Sequence, residues 1–115
     1  MLAYTLEMDA HRLGEERSLS YHKAIAERLE RQPEVLDTAR RRVDGWLRAD
    51  GQAPFYARKW AEVLDQEIQQ IAAFLVERSE LATELRQSSP FAGALRPRER
   101  WRLWRETRER LAPGP

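Results

Sequence analysis

The side chains able to do acid–base or metal chemistry are few. His11 and His22 are the only imidazoles, and there is no cysteine. The histidines share no HxxxH or HExxH spacing, so a zinc site would need carboxylates gathered by the fold. His22 lies on one helical face with Ile25 and Leu29, where a core-edge histidine bonded to a backbone group or a carboxylate is expected. Ser88 and Ser89 are the hydroxyls best placed to be nucleophiles, but no neighbour along the chain could deprotonate them. No GxGxxG, GxxxxGK[ST] or GxSxG pattern occurs, and no carboxylate pair stands out as general acid and base. The residues thus point away from catalysis, cofactors and metals, and an enzyme with a carboxylate-built site ranks last.

The last third carries more. The stretch Gln87-Ser88-Ser89-Pro90-Phe91-Ala92-Gly93-Ala94-Leu95 breaks the helical pattern and feeds a helix rich in arginine. Phe91 is the only large apolar group in the centre of that break. It either closes over the helix junction or docks a partner. Arg98, Arg102 and Arg105 share a helix face, with Trp101 and Trp104 on the neighbouring one. Arginine forks beside tryptophan suit protein interfaces, phosphate contacts or base stacking, or the indoles are core covered by arginine stems. Trp101, near the Phe91 loop, is expected to be structural, and Trp104, with Arg105 and Arg108, to face a partner. The candidate partner-binding residues are Phe91, Arg98, Arg102, Trp104, Arg105 and Arg108. Arg40-Arg41-Arg42 splays around its helix, and solvated pairing with Asp37 and Asp44 is expected.

The elements that must position these groups read at helical period. Ser18 or Ser20 can cap a first helix through Leu29, and Pro33 ends it and suits the first turn of the next. Leu36, Ala39, Val43 and Leu47 mark that second helix, stopped at Asp50-Gly51. Pro54 opens a third pattern through Leu64. Ile68, Ile71, Ala72, Leu75, Ser79, Ala82 and Leu85 form a fourth, continuous with the third because Asp65-Gln66-Glu67 holds no breaker. The last helix runs from Pro97 to about Leu111, and Pro113-Gly114-Pro115 cannot continue it. No segment alternates as a strand. The fold class expected is all-α, a single compact helical domain of four to five helices. Residues 1–16 are expected as a flexible N-terminal arm, 17–112 as the helical domain and 113–115 as a tail.

Of the 115 residues, 42% are hydrophobic and 34% charged, too apolar for a disordered chain. No apolar run suits a membrane span and the first residues lack a signal-peptide pattern, so a cytoplasmic location is expected. The 20 basic and 19 acidic side chains leave a net charge of +1, low for a dedicated nucleic-acid binder. Segment 62–84 is acidic and segment 86–110 is basic, and antiparallel neutralisation of the two is expected.

The run Leu85-Arg86-Gln87-Ser88-Ser89-Pro90-Phe91-Ala92-Gly93, with Pro97-Arg98-Glu99-Arg100-Trp101 and the earlier Arg17-Ser18-Leu19-Ser20-Tyr21-His22-Lys23-Ala24-Ile25-Ala26, resembles small uncharacterised bacterial proteins. Some of those are encoded as the antitoxin-like half of two-gene loci. The resemblance spans Arg17 to about Arg105. It implies a cytoplasmic binding protein that masks a partner enzyme and touches its own operator. It transfers no functional residue.

The function expected is therefore that of a non-enzymatic interaction protein, an antitoxin or regulatory subunit. The partner expected is another protein, such as the product of a neighbouring gene. A second copy of the chain is a further option, and nucleic acid is disfavoured. A DNA-binding regulator is the alternative. Against it, Pro54, Phe55 and Tyr56 occupy the places where a recognition helix would carry base-reading residues.

Overall fold

Proline and glycine set the first breaks. In the computed structural model, backbone is described for residues 2–49 and 51–112 and side chains from Ala10 onward, residue 50 excepted. The expected tail, 113–115, and Asp50 lie outside the described residues. Helix α1 spans Leu2–Ala26 and gives way to turns before Pro33, the first residue of α2 (Pro33–Arg48). Gly51 takes φ 93°, a conformation that lets the chain reverse into α3 (Phe55–Leu64). Then follow α4 (Ile68–Leu75), α5 (Glu80–Arg86) and α6 (Pro97–Leu111). The described residues hold six helices and no strand.

The all-α class agrees with the sequence pattern, and the number of helices exceeds it. The expected long spine from Pro54 to Leu85 is three short helices. Local hydrogen bonds make both breaks. Glu67 accepts from a backbone N–H of the first turn of α4 while the Gln70 side chain accepts from the Glu67 N–H at 3.1 Å. Ser79 caps α5 by accepting from Ala82 N–H at 3.1 Å. The apolar periodicity survives because α4 and α5 both turn toward the same core.

The N-terminal boundary is also revised. Residues 2–16 continue α1 without interruption, so the helix passes through Ser18 and Ser20 rather than starting there. Those serines serve other contacts. Thr107 donates to Leu103 O at 2.8 Å, leaving Ser20 to donate to Thr107 Oγ1 at 2.9 Å. Glu16 forms ion pairs with Arg78 at 2.7 Å and Arg110 at 3.5 Å.

Helix α2 packs on α3, and α3, α4 and α5 pack on one another. Helix α1 lies across α4, α5 and α6, and among the described residues the backbone of α6 approaches no other helix. Acidic and basic segments therefore do not neutralise each other side by side. Glu16 pairs with Arg78 of one and Arg110 of the other, Arg86 bonds Glu77 O and Thr83, and Glu99 of α6 turns to Arg28.

The core centres on Trp60, with Leu29, Ile71, Leu75 and Leu85 also fully enclosed. The Trp60 ring meets Phe74 and Phe91 edge-on, with centroids at 5.8 and 6.1 Å, and its Nε1–H donates to Leu85 O at 3.1 Å. Replacing Trp60 with alanine removes these contacts and leaves the Leu85 carbonyl to its backbone donors alone. A loss of about 3–5 kcal/mol is expected, a large fraction of the stability of so small a domain. Urea denaturation of Trp60→Ala measures it, and a midpoint near that of the parent would contradict this account of the core.

Candidate functional site

Two places gather the residues that sequence reasoning singled out: the outer face of α6, and a cleft beneath the Ser88–Leu95 loop.

Helix α6 turns Leu103, Trp104, Thr107 and Leu111 inward, a three- and four-residue stripe seated on α1. The opposite face holds Arg98, Trp101, Arg105 and Arg108. Trp101 is 58% exposed, the most exposed large hydrophobic residue among those described. Trp104 is half-buried, with the Arg17 and Arg108 guanidiniums over its ring at 4.8 and 5.6 Å. The expected exposure of the two tryptophans is thus reversed: Trp104 is packed and Trp101 faces out. The reason is register. The helix seats the stripe 103, 104, 107 and 111 against α1, and Trp101 falls outside it. Arg102 is shared between Glu99 at 4.0 Å and Glu106 at 3.8 Å. Arg98 and Arg105 form no ion pair among the described residues.

Phe91 is only 3% exposed and packs on Trp60, so this candidate partner residue belongs to the core. Its loop is tied down by Arg42, which donates to the carbonyls of Pro90, at 3.1 Å, and Ala92. Gly93, at φ 85°, supplies the reversal beside it. Arg40 donates to Leu64 O at the end of α3, at 3.0 and 3.2 Å, and Arg41 to Thr38. The arginine triplet splays as its spacing requires, but its partners are mainly backbone carbonyls rather than Asp37 and Asp44.

The cleft has a volume of about 550 Å³ and lies between α1, the facing aromatics of α2 and α3, and the Ser88–Leu95 loop. Trp46 and Tyr56 form one wall, edge to face at 5.3 Å, and Tyr21 stands on α1. At its base His22 and Ser89, 67 residues apart in the chain, lie 2.7 Å apart from Nε2 to Oγ. The Ser18 carbonyl, 2.7 Å from Nδ1, can only accept, so Nδ1 carries the proton and Nε2 accepts from the Ser89 hydroxyl. Ser89 Oγ accepts in turn from Phe91 N–H at 3.1 Å. Folding brings to Ser89 an imidazole that no neighbour along the chain supplies. Burial, however, lowers the His22 pKa to about 4, and the nearby Arg86 charge pushes the same way. His22 is therefore a hydrogen-bonded, neutral clamp between α1 and the loop, and a weak base at neutral pH.

Arg17, Arg86 and Arg100 line the cleft, and no described Asp or Glu does. Arg86 is 6% exposed and spends its donors on Leu75 O, Glu77 O and Thr83, at 3.3, 2.7 and 3.2 Å. Burial, and then the charge of Arg78, lower its pKa from the usual guanidinium value. Elsewhere no three His, Asp or Glu side chains gather among the described residues, and no described helix is long and apolar enough to cross a membrane. The Ser89–His22 pair and the cleft arginines went unseen in the sequence. The available signal was a core-face histidine without a local partner and a loop whose serines had none either. No family model, curated protein or solved structure matches the chain.

His22 makes stability depend on pH. Its folded pKa, about 4, lies below the unfolded value of 6.5, so its contribution is fully present above the unfolded pKa and falls away as pH drops toward the folded one. The full span is roughly 3 kcal/mol, about 2 of it lost by pH 5. Urea midpoints should therefore fall between pH 7 and pH 5 in the parent and change far less in His22→Gln. Equal slopes in both proteins would rule the clamp out as their source.

Proposed function

We propose that this protein is a non-enzymatic interaction protein, a regulatory or antitoxin-like subunit that covers a partner protein with the outer face of α6. The observation that carries the reading is Trp101. Its indole is 58% exposed at the centre of a stripe of arginines, on a helix whose other side is already committed to α1. Tryptophan and arginine are the side chains most enriched at interface hot spots, and an indole left in water gains most when a partner desolvates it. Arg98 and Arg105 favour a partner surface rich in carboxylates, whose attraction speeds encounter. The mechanism is steric: a helix of four turns fills a groove on the partner and masks what that groove does. The sequence resemblance to antitoxin-like proteins agrees with this and makes the neighbouring gene product the first partner to test.

A second reading takes the same stripe as a nucleic-acid contact, with Trp101 stacking on a base. The near-neutral total charge argues against it. So does the α2–α3 connection, which opens α3 with Pro54 and an exposed Phe55.

Trp101→Ala should change unfolding stability by less than about 0.5 kcal/mol, as an exposed position does. The same change should weaken the complex with the neighbouring gene product by about 2 kcal/mol, measured by calorimetry on the co-purified pair. Trp104→Ala should instead destabilise the fold. Undiminished binding by Trp101→Ala would remove α6 as the interface. Submicromolar, salt-sensitive binding to duplex DNA would favour the second reading.

A further inference from the structure

We infer that the cleft between α1, the Trp46–Tyr56 wall and the Ser88–Leu95 loop is a binding site for a small phosphorylated aromatic molecule, of the size and chemistry of a nucleoside monophosphate. This site is separate from the outward face of α6.

The argument begins with charge. Three guanidiniums line the cleft and, among the described residues, no carboxylate does; of the three, Glu15, Glu16 and Glu77 reach only Arg86, through their charge. Arg100 forms no side-chain hydrogen bond or ion pair among the described residues. The Arg17 guanidinium lies over the Trp104 ring and forms no side-chain hydrogen bond or ion pair among the described residues. Arg86 is held inside by carbonyls and adds its field rather than its donors. Two available forks and a third fixed charge suit a doubly charged phosphate monoester better than a single carboxylate.

Shape supplies the second element. About 550 Å³ falls within the range of small-molecule sites and holds a ring, a sugar-sized spacer and a phosphate. Trp46 and Tyr56 are both half-buried, held edge to face, and give one wall a fixed aromatic surface. A planar ring gains by stacking there. Polar groups at the base complete the set. Ser89 donates to His22 and accepts from Phe91 N–H, which leaves one lone pair for a ligand hydroxyl or amine. Ser88 and Gln87 lie beside it. Because His22 is neutral and its tautomer fixed by Ser18, this acceptor keeps its orientation.

The test is isothermal titration of the full chain with the four common nucleoside monophosphates, the matching nucleosides, inorganic phosphate, and a 5′-phosphorylated oligonucleotide ten residues long. At least one monophosphate should bind saturably. Its nucleoside and inorganic phosphate should each bind at least tenfold more weakly. Arg100→Ala should weaken binding tenfold or more while leaving the melting temperature of the free protein unchanged, since Arg100 supports no fold contact. Arg17→Ala is the second variant, and Trp46→Leu should remove the preference for nucleotide over phosphate. Absence of saturable binding by every monophosphate overturns the inference, as does full affinity in both arginine variants. Phosphate alone binding as tightly as nucleotide overturns the aromatic half. Tighter binding of the oligonucleotide overturns the assignment to a free small molecule.

Discussion

The fold depends on the enclosure of Trp60. Its indole sits where α3, α4, α5 and the Ser88–Leu95 loop converge: Phe74 comes from α4, Leu85 O from α5 and Phe91 from the loop. A single long helix over the same residues could not surround one side chain, because its apolar stripe would face one way only. Breaking the chain at Glu67 and Ser79 lets three short helices wrap the ring. Those breaks are costly in themselves. Helices of seven to ten residues are marginal on their own, and each end exposes carbonyls without intrahelical partners.

Arginine answers that cost. Arg40 closes the end of α3 at Leu64 O, Arg86 closes α4 at Leu75 O and Glu77 O, and Arg42 holds the loop through Pro90 O and Ala92 O. A guanidinium offers five donors in a fixed fork, and a hydrogen bond to a charged group contributes about 1.5–3 kcal/mol. The basic character of the chain is therefore in part structural. Arg86 is the extreme case, a charge taken nearly out of water and hydrogen-bonded to carbonyls, with Glu15, Glu16 and Glu77 acting on it only through their charge. Lysine would not replace it, since one ammonium cannot span two carbonyls and the Thr83 hydroxyl at the required angles.

These interactions explain which features were legible in the sequence. Pro33 and Pro97 mark helix starts that local sterics impose, so both boundaries could be read directly. The apolar face from Ile68 to Leu85 was equally plain, yet the break at Ser79 was hidden. A serine in a helical pattern signals a cap only when the next turn has somewhere to go, and tertiary packing decides that. The inward register of α6 was hidden for the same reason. Trp101 and Trp104 are equivalent by composition, and the approach of α1 distinguishes them. Ser89 and His22 meet across 67 residues, and neither carries a local signature of the other.

Helix α6 joins the two candidate surfaces. Arg100 looks into the cleft while Trp101, the next residue, looks out. Among the helices α6 rests on α1 alone, through Thr107, Leu103 and the Trp104–Arg17 stack, with Arg28 holding Glu99 at its first turn. An anion held by Arg17 and Arg100 bridges the same two helices. Such a bridge stabilises one seating of α6 and therefore one presentation of the Trp101 stripe. By linkage, a partner that favours that seating raises the affinity for the anion by the same factor as the anion raises the partner's. A partner that accepts α6 in either seating would leave anion affinity untouched, however tightly it bound. The coupling between cleft and helix face is thus set by how far α6 can move on α1. Ser20 and Thr107 bear on that freedom most directly, because their hydroxyls meet at the centre of the contact.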